Sequence, residues 1–248
     1  MAFPSEYYLY AGLILILAYF IRGITGFGSG LVAVPLLALF YPLTIVVPVV
    51  LLLDFSASLV MGGRDLKRIE WQEIRLLIPI SFLGILIGSN LLMNLPRQPT
   101  LLILAFFIFI FAIRSLLNIQ GHRHISRYWA IPAGLTGGTI GALFGTGGPP
   151  FVIYLNHRIE DKTKLRATFS ALFFIDGLIR IITFFILGLF ISKIILWGLV
   201  AGLPIMLGAL YLGAKIHTGL SQTRLVQIIG LLLLGSSLSL IIKAFTLS

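Results

Sequence analysis

Long apolar segments follow one another along almost the whole chain, separated by short polar stretches. The pattern predicts ten segments, at 7–25, 30–40, 45–61, 72–93, 100–117, 128–144, 149–156, 165–187, 192–213 and 224–245. Crossing a hydrocarbon core of about 30 Å takes about 20 apolar residues, so eight are expected to span, and 30–40 and 149–156 are too short. With 58% hydrophobic and only 10% charged residues, the chain is too apolar for a water-soluble fold. It is therefore predicted to be an all-α polytopic membrane protein, with a single transmembrane domain over residues 1–248.

Four landmarks of the sequence occur twice in the same order. They are Gly26-Phe27-Gly28-Ser29-Gly30 with Gly145-Thr146-Gly147-Gly148-Pro149, Asp54 with Asp176, Pro79 with Pro204, and Gly88 with Gly213. The offset between partners grows only from 119 to 125 residues, which favours a duplication over coincidence. We expect repeat one at 1–118 and repeat two at 128–248.

Positive charges indicate how the two halves are oriented, because cytoplasmic loops carry an excess of lysine and arginine. In the first half, the loops of one parity have Arg64, Lys67, Arg68, Arg75, Arg114, Arg123 and Arg127, and the other parity has Arg97 alone. In the second half, the loops equivalent to those with few positive charges in the first half have many. They have Arg158, Lys162, Lys164, Arg166, Lys215 and Arg224, whereas the other loops have only Lys193 and Lys243. The bias inverts, which predicts halves of opposite topology.

Opposite topology requires an odd number of crossings in each half. The simplest arrangement is two inverted repeats, in which 7–40 and 128–156 form broken-helix hairpins, each followed by three transmembrane helices. A single long broken helix in place of each hairpin is the alternative that the sequence leaves open. Inverted repeats with broken helices are a recurrent plan of secondary transporters.

Two glycine-rich breaks are the candidate ligand site. Non-helical backbone at membrane depth is tolerated only where protein buries it or where it lines a wet cavity. Glycines permit the turn and a proline suits the first position of a new helix, so a half-helix is expected to begin at each break. Helix N-termini attract anions, and inverted symmetry is expected to aim both at one point near the midplane. The candidate residues are Gly26, Phe27, Gly28, Ser29, Gly30, Gly145, Thr146, Gly147, Gly148 and Pro149. The alternative is that these small residues only let helices pack closely.

Four charged residues lie far from the predicted loops. Burying an unpaired charge in a bilayer costs at least about 2.5 kcal/mol, so such residues usually face the bundle interior and pair. Our hypothesis is that Arg22 or Arg180 attracts the anion, while Asp54 or Asp176 takes up and releases a proton. The alternative is that Asp176 and Arg180, four residues apart, form a neutral ion pair that joins helices.

Composition and motifs argue against other classes of function. The chain has no cysteine, and its four histidines lie in or next to predicted loops, so we expect no metal and no cofactor. No phosphate-binding lysine follows either glycine cluster and neither reads G-x-S-x-G, so we expect no enzyme. The net charge of +10 comes from short clusters between apolar segments, which favours loop orientation over nucleic-acid binding.

The chain resembles the sulfite exporter TauE/SafE family, also described as the 4-toluenesulfonate uptake permease family, over nearly its full length. The resemblance rests on Gly23-Ile24-Thr25-Gly26-Phe27-Gly28-Ser29-Gly30 with Pro35, and on Gly141-Ala142-Leu143-Phe144-Gly145-Thr146-Gly147-Gly148-Pro149-Pro150 with Tyr154. It implies a bacterial or archaeal inner-membrane carrier of sulfite, organosulfonates or related sulfur anions, usually an exporter. Ser29 departs from the commoner triple glycine of the first break.

The leading hypothesis is a secondary transporter that exports a small sulfur-containing anion by alternating access, with optional proton coupling. An anion channel with the same positive centre is the second hypothesis. A membrane scaffold subunit without transport activity, docking through the loop 156–166, is the third. The sequence leaves open the particular anion, the direction, the coupling ion and whether the chain works as a homodimer.

Overall fold

A computed structural model describes residues 4–26, 28–61, 66–117, 125–215 and 222–246. This described part is helical and contains no strand, which confirms the all-α prediction. Its helices are α1 (Ser5–Thr25), α2 (Ser29–Leu37), α3 (Leu43–Met61), α4 (Trp71–Asn94), α5 (Arg97–Leu116), α6 (Ala130–Phe144), α7 (Gly148–Asn156), α8 (Lys162–Ile186), α9 (Lys193–Lys215) and α10 (Gln222–Thr246). Short 3-10 turns at Leu66–Arg68 and Arg127–Trp129 precede α4 and α6.

Seven of the described helices are long and apolar enough to cross a membrane, which is one fewer than the eight predicted. The difference is α6, whose 15 residues give a length of about 22 Å at 1.5 Å per residue. Its end is fixed by Gly145, which has a φ of 66° and cannot continue the helix. The short helices α2 and α7 have nine residues each, in agreement with the prediction that they do not span.

The helices group into two compact units, and each unit draws on both halves of the sequence. Unit 1 comprises Met1–Leu53, Leu95–Ile119 and Ser192–Ser248, and therefore contains α1, α2, α5, α9, α10 and most of α3. Unit 2 comprises Asp54–Asn94 and Gln120–Ile191, and contains the end of α3 with α4, α6, α7 and α8. Neither unit coincides with 1–118 or 128–248, because the tightest helix contacts join the two halves.

In unit 1, the chain reverses at the first break. The ring of Tyr7, at the start of α1, lies 5.2 Å from the ring of Phe40 and 6.1 Å from that of Tyr41. Both partners follow the end of α2, so α2 returns alongside α1. This geometry is a hairpin and not one long broken helix.

Unit 2 has the same reversal at the second break. Glu73 of α4 accepts hydrogen bonds from Arg127, which precedes α6, and from Arg158, which follows α7. The α6–α7 segment therefore begins and ends at the same end of the unit. We call this the charged end, because Glu70 and Lys164 also pair there at 2.8 Å.

The direction of two matched helices can be compared at the charged end. Helix α8 begins there, with Lys164 in its first turn. Helix α3 ends at Met61, a few residues before the turn Leu66–Arg68 that packs against α8, so α3 runs towards this end. The two helices therefore run in opposite directions at this end. The inverted-repeat arrangement stays a prediction.

Close helix packing is duplicated at matched glycines. A Cβ atom at Gly88 of α4 would overlap the carbonyl oxygen of Thr139 in α6 and lie 3.0 Å from its carbonyl carbon. A Cβ atom at Gly213 of α9 would overlap the carbonyl oxygen of Phe20 in α1 and lie 3.1 Å from its carbonyl carbon. The glycines differ by 125 residues and their partners by 119, the offsets seen in the sequence. The duplication itself stays a prediction.

Candidate anion-binding site

The first break, in unit 1, is a short stretch of left-handed backbone between α1 and α2. Gly26 and Gly28 have φ angles of 84° and 92°, values that L side chains rarely adopt. The Gly26 N–H closes α1 by donating to the Arg22 carbonyl oxygen, and α2 begins at Ser29. A Cβ atom at either glycine would meet no described atom within 4 Å, so backbone conformation, and not packing, requires glycine here. Phe27 lies outside the described residues.

A side-chain hydrogen bond crosses the first break. Arg22 Nη1 donates to Ser29 Oγ at 3.0 Å, and both residues are buried, at 8% and 1% exposure. Gly30 follows in the first turn of α2 and is also buried. The structure therefore brings Arg22 and Ser29, both predicted from the sequence, to the N-terminus of α2. Serine in place of glycine supplies an acceptor for the guanidinium.

In unit 2, the second break ends α6 and starts α7 by the expected signals. Gly145 adopts a left-handed conformation, and its N–H donates to the Gly141 carbonyl oxygen at 2.9 Å. Helix α7 begins at Gly148, with Pro149 and Pro150 in its first turn, where a missing N–H costs no helical hydrogen bond. The α7 N-terminus thus lies at the turn of the hairpin.

The remaining glycines of the second break have different surroundings. A Cβ atom at Gly147 would overlap the carbonyl oxygen of Gly137 and lie 2.8 Å from the Cα atom of Gly141. Gly147 is therefore needed for close packing of the break on α6, which is the alternative role that the sequence left open. A Cβ atom at Gly148 would make ordinary contact with the ring of Phe173 at 3.6 Å. Packing does not require glycine at Gly148.

Thr146 has the least satisfied side chain of the second break. It is only 3% exposed, and its hydroxyl oxygen has no hydrogen-bond partner among the described residues. Leaving a buried hydroxyl without a partner costs about 1–3 kcal/mol. A bound ligand or water at the turn would remove this cost.

Arg180 of α8 lies beside the same break. A Cβ atom built on Gly141 would lie 3.4 Å from the Cα atom of Gly147 and 3.6 Å from Arg180 Nη1, so Gly147 and Arg180 both lie next to Gly141. Arg180 Nη1 donates to the Gly141 carbonyl oxygen at 2.9 Å, and its Nη2 donates to none of the described residues. A buried guanidinium with donors to spare therefore lies next to the N-terminal turn of α7.

Asp176 positions this guanidinium. Its Oδ2 lies 2.9 Å from Arg180 Nε, and its Oδ1 accepts a hydrogen bond of 2.7 Å from Ser81 of α4. Asp176 is 1% exposed and Arg180 is 9% exposed, so the pair is buried. The ion pair that the spacing of four residues suggested is present, and it joins α8 to α4 through Ser81.

Asp54 has different surroundings from its sequence counterpart Asp176. It lies partly buried in α3, and the residue four positions later is Ser58, whose hydroxyl donates to the Asp54 carbonyl oxygen at 2.9 Å. No arginine occupies the position that Arg180 has relative to Asp176. The two aspartates are therefore matched in sequence but differ in the side chain four residues later.

A buried glutamate with three hydrogen-bond donors around it, which the sequence reasoning missed, holds the C-terminal end of α7. Glu73, only 5% exposed, accepts hydrogen bonds from the Tyr154 hydroxyl, from Arg158 Nη2 at 2.9 Å and from Arg127 Nε at 3.4 Å. The hydrogen bond to Glu73 raises the pKa of Arg158 above its ordinary value. The arginines were read only as loop charges. An acid in the first turn of a helix beside two cationic loops was the available signal.

The far end of α2 is held by a different cation. Lys243 of α10 donates to the carbonyl oxygens of Ala38, at 3.2 Å, and Leu39, just beyond the last residue of α2. Both groups are carbonyls that a helix end leaves without partners. Each short helix is thus fixed at its C-terminal end by charged side chains, which leaves its N-terminal end at the break.

Seven spanning-length helices in the described part, two hairpins with left-handed glycine turns and buried arginines beside those turns are the features of a multi-pass membrane transporter. The sequence comparisons agree. The chain belongs to the sulfite exporter TauE/SafE family, whose sequence model matches residues 11–240.

Two relatives support this assignment. The probable inner membrane transporter protein TsaS of Comamonas testosteroni is 27% identical over 194 residues, covering 77% of this chain and 80% of the relative. A probable membrane transporter protein of Haemophilus influenzae is 28% identical over 153 residues, covering 55% of this chain and 58% of the relative. No solved structure matches the chain significantly.

Proposed function

We propose that this protein is a secondary transporter that moves a small sulfur-containing anion, sulfite or an organosulfonate, across the inner membrane by alternating access. The family description supports the substrate class and the direction of export. The name of the Comamonas relative supports a location in the inner membrane. Export of an anion is favoured by a negative-inside potential by about 2.3 kcal/mol per charge per 100 mV. Coupling to protons is therefore optional for export.

The observation that carries the proposal is the second break. An anion at the α7 N-terminus would accept from backbone N–H groups of Gly147 and Gly148, from the Thr146 hydroxyl and from Arg180 Nη2. A tetrahedral or pyramidal oxyanion has several oxygens and can accept from all three kinds of donor. Asp176 offsets part of the positive charge, which keeps binding weak enough for release.

The first break offers related chemistry within unit 1. Gly26 and Gly28 leave open space beside the α2 N-terminus, and the Arg22 guanidinium lies there against Ser29. The proposal assigns anion contact to these residues as well. Ser29 is expected to set how the guanidinium is turned towards an anion.

The proposed function includes proton coupling through a buried aspartate. Protonation of Asp176 would remove the charge that holds Arg180, so that the guanidinium would bind the anion more strongly. Asp54 is the second candidate because it matches Asp176 in the sequence. Transport by Asp176→Asn and Asp54→Asn should be measured with and without a pH gradient. If both variants respond to the gradient as the wild type does, neither aspartate couples protons.

Purified protein in liposomes tests the function, with efflux and counterflow of radiolabelled sulfite and an organosulfonate as the readouts. The decisive variant is Thr146→Val, which removes a hydroxyl without a described partner and keeps the side-chain shape. The matched control is Thr136→Val in α6, whose hydroxyl donates to the Pro132 carbonyl oxygen and is exposed. A hydrogen bond to a charged group contributes about 1.5–3 kcal/mol, so Thr146→Val should weaken the apparent affinity about 10- to 100-fold.

Each outcome of this experiment distinguishes a function. Saturable counterflow that loses affinity in Thr146→Val and keeps it in Thr136→Val supports a carrier with its site at the second break. Current at high unitary rates without counterflow indicates the channel instead. Absence of any flux from protein that is shown to be folded favours the scaffold.

A further inference from the structure

An open apolar groove of about 470 Å³ lies on the surface of unit 2 along the first turns of α4. Its lining residues are Trp71, Ile74, Arg75, Ile78, Pro79 and Ile175. All of them except Ile175 of α8 come from α4. Trp71, Arg75 and Pro79 are spaced by four and therefore share one helix face. From the first to the last of these, the groove extends about 12 Å along the helix axis.

Arg75 is the only charged residue of this lining, and no acid among the described residues pairs with it. It is exposed and forms no ion pair with any residue that the structure describes. The acids on either side of it along the chain are engaged elsewhere, Glu70 by Lys164 and Glu73 by Arg158. The groove therefore has one uncompensated positive charge next to an apolar surface.

The groove also lies at a defined depth. Helix α4 is a candidate membrane span from Trp71 to Asn94, so its first turn lies where the span leaves the bilayer. A tryptophan at a span end suits the headgroup level, and Trp71 is 45% exposed. Ile78 and Pro79 lie two turns deeper, at the level of acyl chains.

We propose that this groove is a binding site for an anionic phospholipid, with the phosphate on Arg75 and one acyl chain along Ile78, Pro79 and Ile175. The guanidinium matches the phosphate in charge and geometry, and the apolar lining matches the chain. Positive charges of the neighbouring loop, Lys67 among them, predict that this end faces the cytoplasmic leaflet, whose anionic lipids attract such segments. The site is separate from the glycine breaks and does not depend on the transported substrate.

Lipid-dependent thermal stability tests the site. Purified protein in a neutral detergent is titrated with phosphatidylglycerol, with phosphatidylcholine of the same acyl chains, and with glycerol phosphate, which has the headgroup charge but no chain. A ligand that binds the folded state stabilises it by mass action, so the dependence of the melting temperature on lipid concentration gives an apparent affinity. The variants are Arg75→Gln, Arg75→Lys and the control Lys193→Gln, an exposed cation at the start of α9 in unit 1.

Phosphatidylglycerol should stabilise the wild type at lower concentration than phosphatidylcholine does, and glycerol phosphate should have no effect. Arg75→Gln should weaken the affinity for phosphatidylglycerol about fivefold, since one basic residue near a lipid surface contributes about 1 kcal/mol. Arg75→Lys and Lys193→Gln should retain the preference. Equal stabilisation by both lipids, equal losses in Arg75→Gln and Lys193→Gln, or equal stabilisation by glycerol phosphate would each overturn the proposal.

Discussion

Replacing Gly147 by alanine should destabilise the protein, whereas the same change at the neighbouring Gly148 should leave the fold intact. A Cβ atom at Gly147 would lie 2.8 Å from the Cα atom of Gly141 and closer still to the carbonyl oxygen of Gly137. Ordinary contact begins at 3.4 Å, so α6 and the break must separate by at least 0.6 Å (3.4 less 2.8). Overpacking of this kind costs about 1–3 kcal/mol.

At Gly148, a Cβ atom would lie 3.6 Å from the ring of Phe173, which is ordinary van der Waals contact. The expected change in the free energy of unfolding is within about 0.5 kcal/mol. The added methyl group nevertheless stands in the first turn of α7, where the proposed anion approaches the backbone. Gly148→Ala should therefore weaken anion binding while the protein stays as stable as the wild type.

Both variants can be compared in detergent micelles, with the free energy of unfolding from a denaturing-detergent titration and the anion affinity from ligand-dependent melting. Gly147→Ala should lower the free energy of unfolding by about 1–3 kcal/mol. Gly148→Ala should change only the anion affinity. If Gly148→Ala loses as much stability as Gly147→Ala, or if Gly147→Ala loses none, the conclusion that packing requires glycine at Gly147 but not at Gly148 is refuted.

Three further predictions follow from contacts elsewhere. Gly88→Ala and Gly213→Ala should each lower the free energy of unfolding by a similar amount, about 1–3 kcal/mol, because each places a methyl group on a neighbouring helix backbone, whereas Gly208→Ala meets no described atom within 4 Å and should be neutral. Glu73→Gln should lower the free energy of unfolding by about 1.5–3 kcal/mol in the same titration, since the buried carboxylate loses its charge in the hydrogen bonds from Arg158 and Tyr154, and a loss below about 1 kcal/mol would contradict this. Backbone N–H groups at the start of α8 hold the pKa of Asp161 below its usual range, so its stabilising contribution is present above about pH 4 and is lost as the pH falls through the lowered pKa. Asp161→Asn should reduce this acid-dependent loss of stability, and identical pH profiles of the two proteins would show that the cap contributes nothing.

Helix positions were predictable because the bilayer and the breaks are both encoded locally. A run of apolar residues must match the membrane thickness, and glycine or proline must stand where the backbone turns. The predicted segment 72–93 is observed as α4, Trp71–Asn94, and 149–156 as α7, Gly148–Asn156. The Asp176–Arg180 pair was also foreseeable, since four residues on a helix place both side chains on one face.

Contacts between distant segments were not foreseeable in the same way. Glu73 and Tyr154 are 81 residues apart, and Glu73 and Arg158 are 85 apart, so no local pattern links them. The missing partner of Thr146 depends on everything that surrounds the second break in space. Likewise, the sequence match of Asp54 with Asp176 says nothing about which side chains lie beside each.

The pairing of α1 with α9, through the backbone contact between Phe20 and Gly213, has a consequence for biosynthesis. Helix α1 ends at Thr25 and α9 begins at Lys193, 168 residues later (193 less 25). At about 5–20 residues per second, α1 waits roughly 10–30 s in the membrane before its partner is synthesised. During that time its glycine surface must be covered by lipid or by the insertion machinery. A chain made of residues 1–118 alone would lack α9 and could complete neither unit.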